Sequence, residues 1–418
     1  MTRGLTGILL ASIATVAVAQ AIPGQGPQQP RQELPRGGGG GFGGIGIGIS
    51  LGKKKPKLPL APPLEMRDVD IPDYLPDEII LVIAGQVSSV ETIIRAAKVS
   101  LIEATYLSEA GVTMVVAQLL PGDSVPAALT RVAKIKGIGW AQPNYQFQLL
   151  GSKLPKRFAM HAIPEKQPRV SGNIVMIDAP VDVAHDNLKG AAVTQSFFGT
   201  VQRPALHGTA VAALLVGTGD YPGTAQGAKL TSLAAFGPAA DGASLSRTSY
   251  LAKAMNEASR LRPDVLNLSF GGPVDRLLGV MLDTIHKNGV CVSAAAGNGG
   301  PAGKILFPAT HSASLAVTAV DENLRGYAYA SQGQRVDVSG VGVGLNAAAP
   351  GGRRAVSGTS FATAVISGAL LRMPACNGGR DPGAMKAQVT GLAQDLGAPG
   401  RDAVFGAGLF RLSVGKVK

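Results

Sequence analysis

Ser357-Gly358-Thr359-Ser360-Phe361-Ala362-Thr363-Ala364 runs directly into a mainly apolar stretch from Val365 to Met373. The pattern predicts a tight glycine turn opening a buried helix, with Ser360 in its first turn. A serine there sits at the positive end of the helix dipole, where an oxyanion developing on an attacked carbonyl is stabilised. Glycine and serine also open many helices simply as caps, so the segment alone does not establish chemistry.

A serine hydroxyl is a poor nucleophile until a histidine takes its proton and a carboxylate orients that histidine. Both partner types are present. Gly172-Asn173-Ile174-Val175-Met176-Ile177-Asp178 is a short apolar run ending in a carboxylate. It reads as a buried parallel strand that delivers Asp178 at its carboxyl edge, where ligands gather in open α/β sheets. His207-Gly208-Thr209 then opens a second apolar helix through Val216. The chain order is Asp, His, Ser.

That order and these local sequences resemble the subtilisin-like serine proteases over roughly residues 169–412. The aspartate segment corresponds to Val175–Leu188, the His-Gly-Thr segment to His207–Thr209 and the Gly-Thr-Ser-x-Ala segment to Gly358–Ala362. The resemblance implies an α/β fold with a mostly parallel sheet flanked by helices on both faces, and Asp178, His207 and Ser360 as catalytic residues. Val290-Cys291-Val292-Ser293-Ala294-Ala295-Ala296-Gly297-Asn298-Gly299 is similar to the family's strand and turn carrying an oxyanion-hole asparagine, here Asn298. Asp264 to Pro273 is similar to the strand that pairs with substrate, which assigns Ser269, Phe270 and Gly271 to the cleft and sets Ala295 and Gly297 beside the pocket for the residue before the scissile bond. No charge lies in either wall, so an uncharged, apolar side chain is expected there.

Taken singly, Asp178 reads as a turn residue, His207 as a helix-terminal histidine and Asn298 as a left-handed turn residue. Together they fill every role of a hydrolytic site. The sequence departs from the family after the aspartate, where Ser/Thr-Gly is replaced by Ala179-Pro180. Ala179 offers no hydroxyl to the carboxylate and Pro180 no N–H. Ala210 stands where a second histidine is common, and Ala364 where a proline is usual. His185 and Asp186 read as a surface segment.

Upstream, Met1 to Ala19 has Arg3, an apolar core and Ala17-Val18-Ala19, the pattern of a signal peptide (1–19). Its core is too short to span a bilayer comfortably, so export to the periplasm or medium is expected without a stable membrane anchor. Residues 20–69 are rich in Pro, Gln, Gly and Lys, including Gly37–Gly41, and are expected to be a disordered linker. Lys53-Lys54-Lys55-Pro56-Lys57 has no interleaved aromatics, which argues against nucleic acid as a partner.

Residues 70–150 alternate strand-like 78–84, helix-like 90–98, strand-like 112–119, helix-like 124–134 and strand-like 139–149, which suggests a small ferredoxin-like α/β unit. The unit resembles the inhibitory prosegment of many subtilisin-like proteases, a likeness strengthened by Ala141-Gln142-Pro143-Asn144-Tyr145. The resemblance implies an intramolecular inhibitor whose tail occupies the cleft, with a processing junction at 151–164 and a catalytic domain at 165–418. Residues 65–164 carry nine Lys+Arg and ten Asp+Glu, and 165–418 carry 23 and 16, a weak complementarity that favours docking.

Cys291 and Cys376 are the two cysteines. They either pair at the sheet end opposite the site, as an exported chain permits, or remain two buried thiols. No Cys/His cluster suits zinc, and no cofactor is required for the chemistry. The family often binds calcium, but 217–227 offers Asp220 as its one carboxylate, so a structural calcium has no support in the sequence. The expected function is a monomeric, secreted or periplasmic serine endopeptidase acting on peptides or proteins and on its own prosegment. The alternative is a catalytically weakened binding or chaperone-like protein, motivated by Ala179-Pro180. An α/β-hydrolase esterase is disfavoured because Gly358-Thr359-Ser360-Phe361-Ala362 lacks the second glycine of Gly-x-Ser-x-Gly and the acid precedes the histidine.

Overall fold

The apolar run before Asp178 becomes strand β6 (Asn173–Asp178), placed inside the larger sheet of the computed structural model. The structure describes residues 74–149, 152–154, 168–200, 202–219, 221–238, 244–378 and 380–412. The expected signal peptide, the linker, Asp220 and most of the processing junction lie outside the described residues.

Six elements form the small unit: β1 (Tyr74–Ala84), α1 (Glu91–Ala97), β2 (Val99–Leu107), β3 (Val112–Leu119), α2 (Val125–Val132) and β4 (Trp140–Leu149). After β5 (Ser152–Leu154) and β6 come β7 (Ala192–Phe197), α3 (Leu206–Val216), β8 (Lys229–Ala234), β9 (Gly237–Pro238), β10 (Ser244–Arg247) and α4 (Thr248–Leu261). Then follow β11 (Val265–Leu268), β12 (Phe270–Gly271), α5 (Arg276–Lys287), β13 (Cys291–Ala295), β14 (Ser314–Val320) and β15 (Val338–Val341). The chain closes with β16 (Leu345–Ala349), β17 (Gly352–Ser357), α6 (Thr359–Leu370), α7 (Pro382–Gly391), β18 (Ala393–Gln394) and β19 (Leu409–Phe410).

The larger sheet runs β18-β19-β15-β14-β13-β11-β6-β8-β7, with every neighbouring pair parallel except β18 and β19. Alternate side chains of one strand serve opposite faces. Ile174 and Met176 of β6 pack with α3 and α6, whereas Val175 and Ile177 pack with α4 and α5. Both faces are covered, which is why the strand reads as an unbroken apolar run and not as an alternation. This is the α/β architecture the sequence predicts.

The small unit's sheet has the order β2-β3-β1-β4, all antiparallel. The same two-faced logic explains Ile79 to Ile83: Ile79, Leu81 and Ile83 pack under α1 and α2, while Ile80 and Val82 join the core built by α4 and α5. The sequence reading lacks β2. No Gly or Pro separates it from α1; instead Lys98 adopts φ 53°, a left-handed cap that reverses the chain at once. Ser124 caps α2 as its motif predicts, accepting from the Ala127 amide.

β4 does not stop at the small unit. It also pairs antiparallel with β10 and β12, so one sheet continues from the small unit to the rim of the larger one. β5 pairs antiparallel with β17.

Candidate active site

β6 ends at Asp178 and α3 begins one residue before His207, and the close crossing of these two ends depends on Gly208. A Cβ there would lie 2.0 Å from the Ala179 carbonyl oxygen, so only glycine lets the helix start rest on the Ala179-Pro180 turn. Thr209 secures the same crossing by accepting from the Asp182 amide at 3.0 Å. The result is a 2.8 Å hydrogen bond between His207 Nδ1 and Asp178 Oδ1, with Asp178 fully buried and His207 9% exposed. An ionised carboxylate only accepts, so Nδ1 carries the proton and Nε2 keeps its lone pair.

Asp178 Oδ1 also accepts from the Ala179 amide at 2.7 Å, while Oδ2 has no hydrogen-bond partner among the described residues. The missing partner matches the departure seen in the sequence, where neither Ala179 nor Pro180 adds a side-chain donor.

Ser360 lies in the first turn of α6, whose start is fixed by the Gly358 amide donating to Gly342 O at 2.9 Å. Its Oγ donates to the Ser269 carbonyl at 2.8 Å, and Ser269 Oγ donates back to the Ser360 carbonyl at 2.9 Å. Ser269 Oγ is itself held by Asn267 Nδ2 at 2.9 Å. The Ser360 hydroxyl therefore points to Ser269, and His207 Nε2 is buried without a hydrogen-bond partner among the described residues. The ring of Phe361, next to the serine, lies 5.2 Å from the His207 ring.

Asn298, in the turn after β13, accepts at Oδ1 from the Thr359 amide at 3.1 Å and the Thr359 hydroxyl at 3.0 Å. Two donors on one oxygen fix the orientation of the side-chain amide and leave its NH₂ for another acceptor. The Thr359 hydroxyl accepts from the Gly297 amide at 3.3 Å. Ala295, the last residue of β13, is fully buried. Thr359 was legible only as part of Gly-Thr-Ser; its orienting role needed the fold.

Phe270 and Gly271 pair with Leu149 and Gln148 of β4, so the strand expected to receive a peptide already holds one from the same chain. The Gln-Pro-Asn segment anchors that strand. Gln142 Oε1 accepts from the Leu277 amide at 3.2 Å, and Asn144 Oδ1 from the Ser249 amide at 3.3 Å. Each amide side chain thus caps a helix of the larger unit, α5 and α4 respectively. Gln142 Nε2 donates to Asp275 Oδ1 at 2.9 Å, and Asp275 Oδ2 accepts from Thr248 Oγ1 at 2.6 Å. Burial pushes the Asp275 carboxyl above its ordinary value of 3.8, against the pull of these hydrogen bonds and of the Leu278 and Leu277 amides. Sequence reasoning missed Asp275; its signal was an aspartate directly before the apolar helix Arg276–Lys287, an ordinary N-cap pattern.

Cys291 and Cys376 form a disulfide with Cα atoms 5.7 Å apart. Cys291 starts β13 and Cys376 follows α6, so the bridge ties these elements at the end away from Asn298 and Ser360. Of the two readings left open by the sequence, the structure takes the paired one. Among the described residues no helix is long and apolar enough to cross a membrane.

The sequence profile described as the Subtilase family matches residues 167–408. Subtilisin E of Bacillus subtilis (strain 168) is 31% identical over 204 residues, covering 47% of this chain and 53% of that protein. Subtilisin-like protease 10 of Arthroderma otae is 29% identical over 232 residues, 53% of this chain and 56% of that one. The chain spans about half the length of the curated relatives it matches. Among solved structures, fervidolysin from Fervidobacterium pennivorans, a keratinolytic enzyme related to subtilisin, superposes with a TM-score of 0.68 at 21% identity, covering 85% of this chain and 63% of its own. With the profile spanning more than half of its residues and the fold shared with fervidolysin, this chain belongs to the subtilase family.

Proposed function

We propose that the protein is an exported serine endopeptidase in which residues 70–150 act as an inhibitory prosegment that the enzyme removes from itself. The observation that carries this reading is the 2.8 Å His207–Asp178 hydrogen bond in a cleft where β12 already pairs with an extended strand of the same chain. Rotation of the Ser360 side chain away from Ser269 O hands its hydrogen bond to His207 Nε2; such bonds are commonly unformed until substrate is engaged. Ser360 Oγ then adds to the carbonyl carbon while its proton passes to Nε2, and Asp178 stabilises the resulting imidazolium. The oxyanion is received at the start of α6 and by the Asn298 NH₂. Collapse breaks the C–N bond, the imidazolium protonates the leaving amine, and water repeats the sequence in reverse to release the acid. Ser269, Phe270 and Gly271 hold the peptide, with Ala295 and Gly297 bordering the pocket before the scissile bond.

The disulfide supports export to an oxidising compartment. Labelling with a fluorophosphonate tests the reading: the purified wild type is expected to react at Ser360, whereas Ser360→Ala neither reacts nor processes its prosegment. A labelled wild type whose mutant still matures unaided rules out self-processing. The unpartnered Asp178 Oδ2 favours a second reading, a catalytically weakened binding protein; absence of labelling in the processed, folded wild type selects it.

A further inference from the structure

β11 and β13 lie side by side with Asn267 opposite Ser293. Two residues earlier on each strand, Val265 and Cys291 join the core beneath α3 and α6, whereas Leu266, Leu268, Val292 and Ala294 join the core beneath α4 and α5. The period of two therefore turns Asn267 and Ser293 toward α6, on a face that is otherwise apolar. Ser367 meets them from α6, two helical turns after Ser360 and on the same side of the helix. All three side chains are fully buried. Apolar residues of similar size would fill these places with no polar group to satisfy, so packing alone does not account for them.

The three belong to one chain of hydrogen bonds that ends at the nucleophile. Ser293 Oγ is bonded to Ser367 Oγ, and Ser367 Oγ donates to Asn267 Oδ1 at 2.9 Å. Asn267 Nδ2 donates to Ser269 Oγ at 2.9 Å, and Ser269 Oγ donates to the Ser360 carbonyl at 2.9 Å. The last acceptor dictates the direction of every bond. A carbonyl only accepts, so Ser269 gives its single hydroxyl proton to Ser360 O. The Ser269 oxygen is then free only to accept, which turns the Nδ2 end of Asn267 toward it and the Oδ1 end toward Ser367. Ser367 has its one proton on Oδ1, so Ser293 is the donor of the remaining bond. Bonds that all run one way in a buried, low-dielectric setting polarise and strengthen one another.

We infer that Asn267, Ser367 and Ser293 are positioning residues for the nucleophile: they hold Ser269 in the one hydrogen-bonding state that clamps residue 269 to residue 360. The clamp is reciprocal, because Ser360 Oγ donates to Ser269 O while Ser269 Oγ donates to Ser360 O. It sets the start of α6 against the segment that enters β12. Without the Ser367 proton, the Asn267 amide turns over, presents Oδ1 to Ser269 and draws the Ser269 hydroxyl away from Ser360. The inference rests on the serine-protease reading above and adds side chains that fix its geometry without taking part in bond making.

The test compares the purified wild type with Ser367→Ala and with the apolar triple variant Asn267→Leu, Ser293→Ala, Ser367→Ala. Hydrolysis of a chromogenic peptide is scaled to the fraction of chains that a fluorophosphonate labels at saturation, and thermal unfolding is followed in parallel. Ser367→Ala is expected to lower kcat about 10- to 100-fold through misplacement of the serine, with KM within about twofold of wild type. The triple variant leaves no orphaned partner along the chain, so it is expected to recover thermal stability while kcat stays low. That split separates positioning from packing, and the triple variant carries the test if Ser367→Ala does not fold. A triple variant whose kcat returns with its stability, or folded variants that all turn over like wild type, overturns the assignment while leaving the protease reading intact. A folded wild type that takes up no fluorophosphonate removes that reading, and the assignment falls with it.

Discussion

Thr359 decides which end of the Asn298 amide faces the site, because both of its donors hold Oδ1. On the proposed mechanism Asn298→Ala removes an oxyanion donor and is expected to lower kcat about 10²- to 10³-fold with KM little changed, measured on a chromogenic peptide. Gly208→Ala acts on the other half of the site. Its methyl would meet the Ala179 carbonyl at 2.0 Å, so the start of α3 must retreat and take His207 from Asp178. The expected result is a loss of stability of at least about 1–3 kcal/mol, read by denaturant unfolding, together with loss of activity. At this scale the sequence was most legible. Asp178, His207, Asn298 and Ser360 each stand in a short motif, and the lack of a donor for Asp178 Oδ2 among the described residues fits Ala179-Pro180. What remained hidden was the resting direction of the Ser360 hydroxyl, because Ser269 O is brought beside it only by folding.

Gln142 and Asn144 sit on one face of β4 and each closes the open end of a different helix of the larger unit. Losing such a cap costs typically about 1 kcal/mol, so Gln142→Ala with Asn144→Ala is expected to weaken retention of the cleaved small unit by one to two orders of magnitude, measured as its dissociation after processing. The bordering ion pairs, Glu78 with Arg247 at 3.2 Å and Glu103 with Lys253 at 3.0 Å, are partly exposed and add less. They are the local form of the charge complementarity counted along the chain. Asp275 gives the fold a pH dependence. Burial raises its carboxyl above 3.8, so folding favours the protonated form: this contribution to stability is fully present below about that value and is lost as pH climbs through the raised one. Asp275→Asn is expected to flatten this slope, with denaturant unfolding followed from pH 3 to about pH 8 as the check. Elements were readable where period and punctuation agreed, as in β6 and α2. β2 escaped because the chain reverses at Lys98 without a glycine to mark it.

Across the whole molecule the disulfide closes a loop of 85 residues between a central strand and the segment after the nucleophile's helix. Replacing both cysteines by alanine is expected to lower stability by roughly 4–5 kcal/mol on a chain-entropy estimate, with a drop in thermal midpoint that reductant reproduces in the wild type. Two cysteines in a sequence cannot announce such a pairing, since only the sheet order brings β13 beside the tail of α6. The strands β1, β3 and β4 and the helices α1 and α2 were readable from pattern, whereas the ladder that carries their sheet onward was not: β4 meets β10 and β12 across more than ninety residues of sequence. That ladder also governs kinetics. Because β4 is already paired with β12, self-processing as proposed would be unimolecular, so diluting the precursor is expected to leave its half-time unaltered while digestion of an added protein slows in proportion.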